Sequence, residues 1–122
     1  MKHKSKKIEA AVFGASGLIG NKLIEFLKKD VNFKQINLMV RSPLNLNHRK
    51  IKIHEIDLFK KSEILKSLKT SEVVFFAIGT TMSKVKGDTG KYERIDYGIA
   101  KDVADACKEL GINKLILVSS SG

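Results

Sequence analysis

Residues 12–20 read "VFGASGLIG", three evenly spaced glycines between an apolar run and a longer amphipathic one. Such a stretch is either a plain surface turn or a cradle for a phosphate, and its flanks decide between them. Upstream, "KKIEAAVFG" (6–14) is a short apolar run stopped by glycine, which reads as a buried strand. Downstream, "LIGNKLIEFLKKD" (18–30) puts Ile19, Leu23, Phe26 and Leu27 on one helical face, with the helix ending near 28–30. Strand, glycine turn and helix in that order are the context in which a glycine-rich pattern points to a dinucleotide. Gly14 would allow the tight turn, Gly17 would let backbone approach a pyrophosphate, and Gly20 would let the helix pack closely on the strand. Ala15, Ser16, Leu18 and Ile19 complete the loop and first turn, where free N–H groups and the helix dipole favour an anion.

The rest of the chain supplies matching elements. "QINLMVR" (35–41) is a second strand stopped by Ser42 and Pro43, "LNLNHRK" (44–50) a polar loop, and "IKIHEIDL" (51–58) an alternating third strand. "KKSEILKSLKT" (60–70) reads as a short helix starting at Ser62, with Ile64, Leu65 and Leu68 inward. "SEVVFFAIG" (71–79) is the most apolar segment and reads as a central strand covered on both faces. After the loop "TTMSKVKGDTGKYER" (80–94), a long helix over 92–110 carries Ile99, Ala100, Val103, Ala104, Cys107 and Leu110 inward, with Gly111 as its stop. "KLILVSSSG" (114–122) is a fifth strand running into small residues. The alternation predicts an α/β fold: a doubly wound parallel sheet of about five strands in three layers, with right-handed crossovers. Ligands then sit in the crevice at the carboxyl ends of the strands.

Several residues fall at those ends. Arg41 follows the second strand, 21 positions after Gly20 and with no Asp or Glu near it in the sequence. An acidic side chain there binds the ribose 2′-hydroxyl of NAD, whereas Arg accepts the 2′-phosphate of NADP. NADP is therefore favoured over NAD, with Ser16 as a second hydroxyl contact and a solvated surface charge as the alternative for Arg41. At the end of the third strand, Asp57 can accept from the adenine amino group and Leu58 can pack on the ring; Asp57 as a simple helix-initiating residue is the alternative. Ile78, Gly79 and Thr80 end the fourth strand beside the nicotinamide half, or are ordinary turn residues.

Bulk properties agree with one globular unit. The 122 residues are 43% hydrophobic, and no apolar run approaches the roughly 20 residues needed to span a bilayer. The net charge is +10, but four of the 23 basic residues lie in the first seven. Residues 1–7 read as a basic, disordered tail and 8–122 as the domain. The surplus of six beyond the tail is scattered, and without zinc spacing or RNA-binding aromatics it does not support a nucleic-acid partner. Cys107 is the single cysteine, so no internal disulfide forms. A reducing cytoplasm is the expected compartment.

"VFGASGLIG", "MVRSP", "IDL", "FFAIGTT", "YERIDY" and "LILVSSSG", in that order, resemble the atypical short-chain dehydrogenase/reductases with a G-x-x-G-x-x-G motif, NAD(P)-binding proteins of Rossmann fold. The resemblance is nearest to the NmrA-like and epimerase-like branch and covers residues 8–122. It implies NADP(H) bound at Gly14, Ser16, Gly17, Leu18, Ile19, Arg41, Ile78 and Gly79, with Asp57 and Leu58 on the adenine side. It also implies that Ser120, or its neighbour Ser121, orients a substrate oxygen. In competent members a Tyr-x-x-x-Lys motif follows that serine, and here Tyr92 and Tyr97 both precede it. Tyr97 and Lys101 have the spacing but lie on the wrong helix. The resemblance therefore implies the cofactor half of a longer oxidoreductase acting on an unidentified carbonyl or alcohol substrate, or a non-catalytic NADP-sensing protein of NmrA-like type. A fifth strand without its following helix would leave apolar surface exposed and favour self-association.

Overall fold

The computed structural model describes residues 7–15, 17–78 and 89–119. Five strands, β1 (Ile8–Phe13), β2 (Phe33–Val40), β3 (Ile51–Glu55), β4 (Val73–Ile78) and β5 (Lys114–Ser119), pair in the order β3-β2-β1-β4-β5, all parallel. Three helices connect them: α1 (Leu18–Lys29), α2 (Lys61–Ser67) and α3 (Thr89–Leu110). The strand order reverses at β1, from which the chain winds first toward β3 and then toward β5. This is the predicted doubly wound, Rossmann-like sheet.

Alternate residues of the central strands feed two cores. On one face Ala11, Phe13, Met39, Val74 and Phe76 pack with Ile64 and Leu68 of the α2 segment and with Ile99, Val103, Ala106 and Cys107 of α3. On the other, Val12, Ile36, Leu38 and Val40 pack with Ala15 and with Ile24 and Leu27 of α1. Each fully buried Val, Leu, Ile, Met or Phe side chain among them contributes about 1.5–3 kcal/mol. Burial also pushes the Cys107 thiol pKa up, which keeps it protonated within the core.

The inward face of α1 differs from the one read in the sequence. Gly20 lies against Gly14, and this contact fixes the rotation of the helix, so that Gly20, Ile24 and Leu27 face the sheet. At 3.6 residues per turn Phe26 then points about 120° away from Gly20, and it is 69% exposed. In α3 the same kind of rotation buries Ala106 and leaves Ala104 exposed. This helix begins at Thr89, earlier than predicted, because "TGKYER" (89–94) continues it without inward apolar spacing. Its end is as expected: Gly111 has φ +74°, its N–H bonds Lys108 O, and the Ile112 N–H reaches back to Cys107 O at 2.8 Å. This pattern closes the last turn. On β5, Ile116 and Leu117 are 42% and 59% exposed.

A polar network links β1, β2, β3 and the segment ahead of β4. Asn37 of β2 is almost wholly buried. Its Oδ1 accepts from Gln35 Nε2 at 2.7 Å and lies 3.1 Å from His54 Nε2, while its Nδ2 donates to Glu9 Oε1 and Ser71 Oγ. Burial, then the neighbouring Lys52, holds the His54 pKa below its ordinary 6.5, against the opposing pull of Glu9. The unfolded chain therefore takes up a proton before the folded one does. Stability is full at neutral pH, declines as pH falls through the ordinary histidine pKa, and levels off below the folded value. Urea denaturation should give a lower midpoint at about pH 5.5 than at about pH 7.5, and His54→Gln should reduce that difference. An unaltered difference in the variant would remove His54 as its cause.

Candidate functional site

Sequence dictates the turn at the carboxyl end of β1. Gly14 has φ +85°, a left-handed conformation that L side chains rarely adopt, and a Cβ there would overlap the carbonyl oxygen of Ala77 on the adjacent β4. A Cβ on Gly20 would overlap Gly14 O, with Gly14 C at 2.9 Å and Ala15 Cα at 3.0 Å. Gly17 is different, since the nearest atom to a Cβ at that position is Gly14 O at 3.6 Å. It caps α1 with extended backbone and no side-chain hydrogen bond, while its own N–H bonds Gly14 O at 3.2 Å. The first turn of α1 contains no acidic residue. The positive end of the helix dipole is therefore not neutralised by a carboxylate of that turn.

The second part of the site is a cleft of about 470 Å3 at the carboxyl ends of β2 and β3, lined by Arg41, Glu55, Ile56, Asp57, Leu58, Phe59 and Glu63. The Ile56 N–H bonds Val40 O at 2.9 Å, which carries the pairing one step past β3 and sets Arg41 beside the turn that follows. That turn is built by Asp57, whose Oδ1 accepts the Phe59 N–H at 2.9 Å, while the Asp57 N–H donates to Glu63 Oε1 at 2.9 Å. Asp57 does not cap α2, whose cap is Lys60. Leu58 is half-buried against the α2–α3 core, and Phe59 is 58% exposed.

The fold thus brings Arg41, Asp57 and Leu58 into one cleft and places Gly14, Ala15, Gly17 and Ile19 at the neighbouring strand end. Ala15 is 4% exposed and its side chain belongs to the α1 core, so only its backbone faces the turn. Leu18 opens α1 and Ile78 ends β4 opposite Ser119. Ser16, Gly79, Thr80, Ser120 and Ser121, together with most of the basic tail, lie outside the described residues. Glu55 and Glu63 were not foreseen. The parallel register that pairs Val40 with Glu55 brings a carboxylate from another strand to the cleft that Arg41 lines, a placement that distance along the chain does not reveal. Among the described residues no group of acidic, histidine or cysteine side chains could hold a metal ion, and no helix is long and apolar enough to cross a membrane.

A family model described as NAD(P)H-binding matches residues 14–122. Protein FMP52, mitochondrial, of Candida albicans is 35% identical over 115 residues, covering 91% of this chain and 50% of that protein. The Debaryomyces hansenii protein of the same name is 31% identical over 116 residues, covering 94% and 51%. The chain thus spans about half the length of these relatives. Among solved structures, uronate dehydrogenase from Agrobacterium tumefaciens superposes with a TM-score of 0.74 at 17% identity over 96% of this chain and 42% of that one. A mutant of the same enzyme complexed with NAD gives 0.72 at 17% identity over 93% and 41%. UDP-N-acetylglucosamine 4-epimerase from Bacillus cereus gives 0.71 at 19% identity over 91% and 36%. At such identities the likeness concerns the fold. The mitochondrial names of the relatives overturn the expectation of a cytoplasmic protein. A lone thiol and the lack of a long apolar run, on which that expectation rested, suit the interior of a mitochondrion equally well.

Proposed function

Because this chain belongs to the NAD(P)H-binding family, we propose that it is the cofactor-holding part of an oxidoreductase that binds NADP(H) across the carboxyl ends of β1, β2 and β3. The observation that carries this reading is that the Gly14–Gly20 turn at the end of β1 and the Arg41 cleft at the ends of β2 and β3 lie on neighbouring strands of one parallel sheet. The Gly17 backbone at the start of α1 would hold the pyrophosphate, since N–H groups left without intrahelical partners and the helix dipole attract an anion there. In the cleft, Arg41 would pair its guanidinium with the 2′-phosphate and Leu58 would pack on the adenine ring. Asp57 already gives one oxygen to its own turn, and its second carboxylate oxygen serves the adenine amino group. Ile78 at the end of β4, with Gly79 and Thr80 after it in the sequence, would hold the nicotinamide half, and Ser120 would orient the substrate oxygen. The dinucleotide supplies hydride chemistry when bound; this chain binds and orients it. The names of the relatives support a mitochondrial setting.

Calorimetric titration of the chain with NADPH and NADH tests the reading. Saturable binding of NADPH, tighter than that of NADH, is expected, and no binding of either would remove it. A non-catalytic sensor is the second reading. A Tyr-x-x-x-Lys pair further along the whole protein would favour the enzyme, and its lack there would favour the sensor.

A further inference from the structure

The cleft at the ends of β2 and β3 carries one cation and three carboxylates: Arg41 against Glu55, Asp57 and Glu63. Two of the carboxylates are engaged by the turn they build, Asp57 on the Phe59 N–H and Glu63 on the Asp57 N–H. Glu55 is not. It is exposed, no hydrogen bond or ion pair holds its carboxylate among the described residues, and its strand register sets it opposite Val40, the residue before Arg41. Arg41 likewise forms no ion pair within 4 Å among the described residues. A free cation and a free anion therefore line the same pocket without neutralising each other.

These charges act oppositely on the group that distinguishes the two dinucleotides. Arg41 attracts a 2′-phosphate, whereas a carboxylate repels it and accepts hydrogen bonds from an unmodified ribose diol. Resting on the proposed dinucleotide reading, we infer that Glu55 is a specificity-determining residue that works against Arg41 and keeps the site open to NADH as well as NADPH. Adjacent strand ends and their side chains set the separation at roughly 8 Å. At that distance, in a water-like dielectric, repulsion of a doubly charged phosphate amounts to about a fivefold change in affinity at low ionic strength. Screening at physiological salt shrinks it to about twofold.

The test is titration of the full 122-residue chain and its Glu55→Gln and Glu55→Asp variants with NADPH and NADH at low and at high salt. Glu55→Gln is expected to shift the NADPH-to-NADH affinity ratio about fivefold toward NADPH at low salt, with the shift falling as salt rises. Glu55→Asp, which keeps the charge, is expected to stay close to the native ratio. A native chain that binds both dinucleotides and a Glu55→Gln ratio that does not move would overturn the role of Glu55 and leave the cofactor reading standing. A native chain that binds neither would overturn both. Should Glu55→Gln fail to fold by circular dichroism, Glu55→Thr, which also removes the charge at this exposed strand position, takes its place, and an unmoved ratio in that variant would reject the inference.

Discussion

Gly20→Val should unfold the domain, whereas Gly17→Ala should leave it folded and unable to hold the dinucleotide. The two positions sit on the same glycine turn and look alike in sequence. A side chain at Gly20 meets only backbone, the Gly14 carbonyl and the Ala15 Cα, and backbone cannot rotate away as the end of a flexible side chain can. To admit it, α1 must lift from the sheet and uncover Ile24 and Leu27, which are now 0% and 2% exposed. Overpacking of this kind costs about 1–3 kcal/mol before the lost burial is added. The sum approaches the total stability of a small domain, roughly 5–15 kcal/mol. At Gly17 the nearest atom is 3.6 Å from a Cβ and φ is −80°, so alanine is accommodated. The methyl group would occupy the space through which a pyrophosphate approaches the first turn. Thermal denaturation and NADPH titration of both variants separate the two effects. A Gly17→Ala protein with native affinity would mean that the phosphate does not sit over that residue.

Arg41→Ala should lower NADPH affinity by about tenfold to a hundredfold, the worth of a charge-assisted hydrogen-bond pair, and should leave NADH binding nearly unchanged. The side chain is exposed and forms no ion pair among the described residues, so the melting temperature should hold on its removal. Binding measured with 2′,5′-ADP and with 5′-AMP isolates the effect at the adenosine half. Equal losses for the two mononucleotides, or none for either, would return Arg41 to the role of a solvated surface charge.

The fold was legible because its signals are local. Apolar runs and amphipathic spacing located all five strands and all three helices, and the glycine spacing identified the turn that positions α1. What local pattern missed is what neighbouring strands impose. Phe26 satisfies the helical period of α1, yet it faces outward because the Gly14–Gly20 contact fixes the helix rotation. Glu55 reaches the Arg41 cleft through strand register, not through nearness in the chain. Alternation ran the third strand to Leu58, whereas β3 ends at Glu55, because the Asp57 carboxylate bends the chain into a turn at that point. The compartment was the least legible, since a single buried thiol is compatible with any reducing space.

The buried amide of Asn37 has a consequence for how the strands find their alignment. Parallel strands rich in Val, Ile, Leu and Ala offer many nearly equivalent pairings, since one aliphatic side chain replaces another at little cost. Asn37 is satisfied only when Glu9 of β1, His54 of β3 and Ser71 ahead of β4 are all in place around it. Sliding β2 by one residue turns the amide to the face occupied by Ile24 and Leu27, where it finds no partner, at a penalty of about 1–3 kcal/mol. Sliding by two restores the face but separates the amide from Glu9 and Ser71. The network acts as a key cut for one alignment, and that alignment is the one that sets Val40 opposite Glu55 and brings the two charged strand ends together.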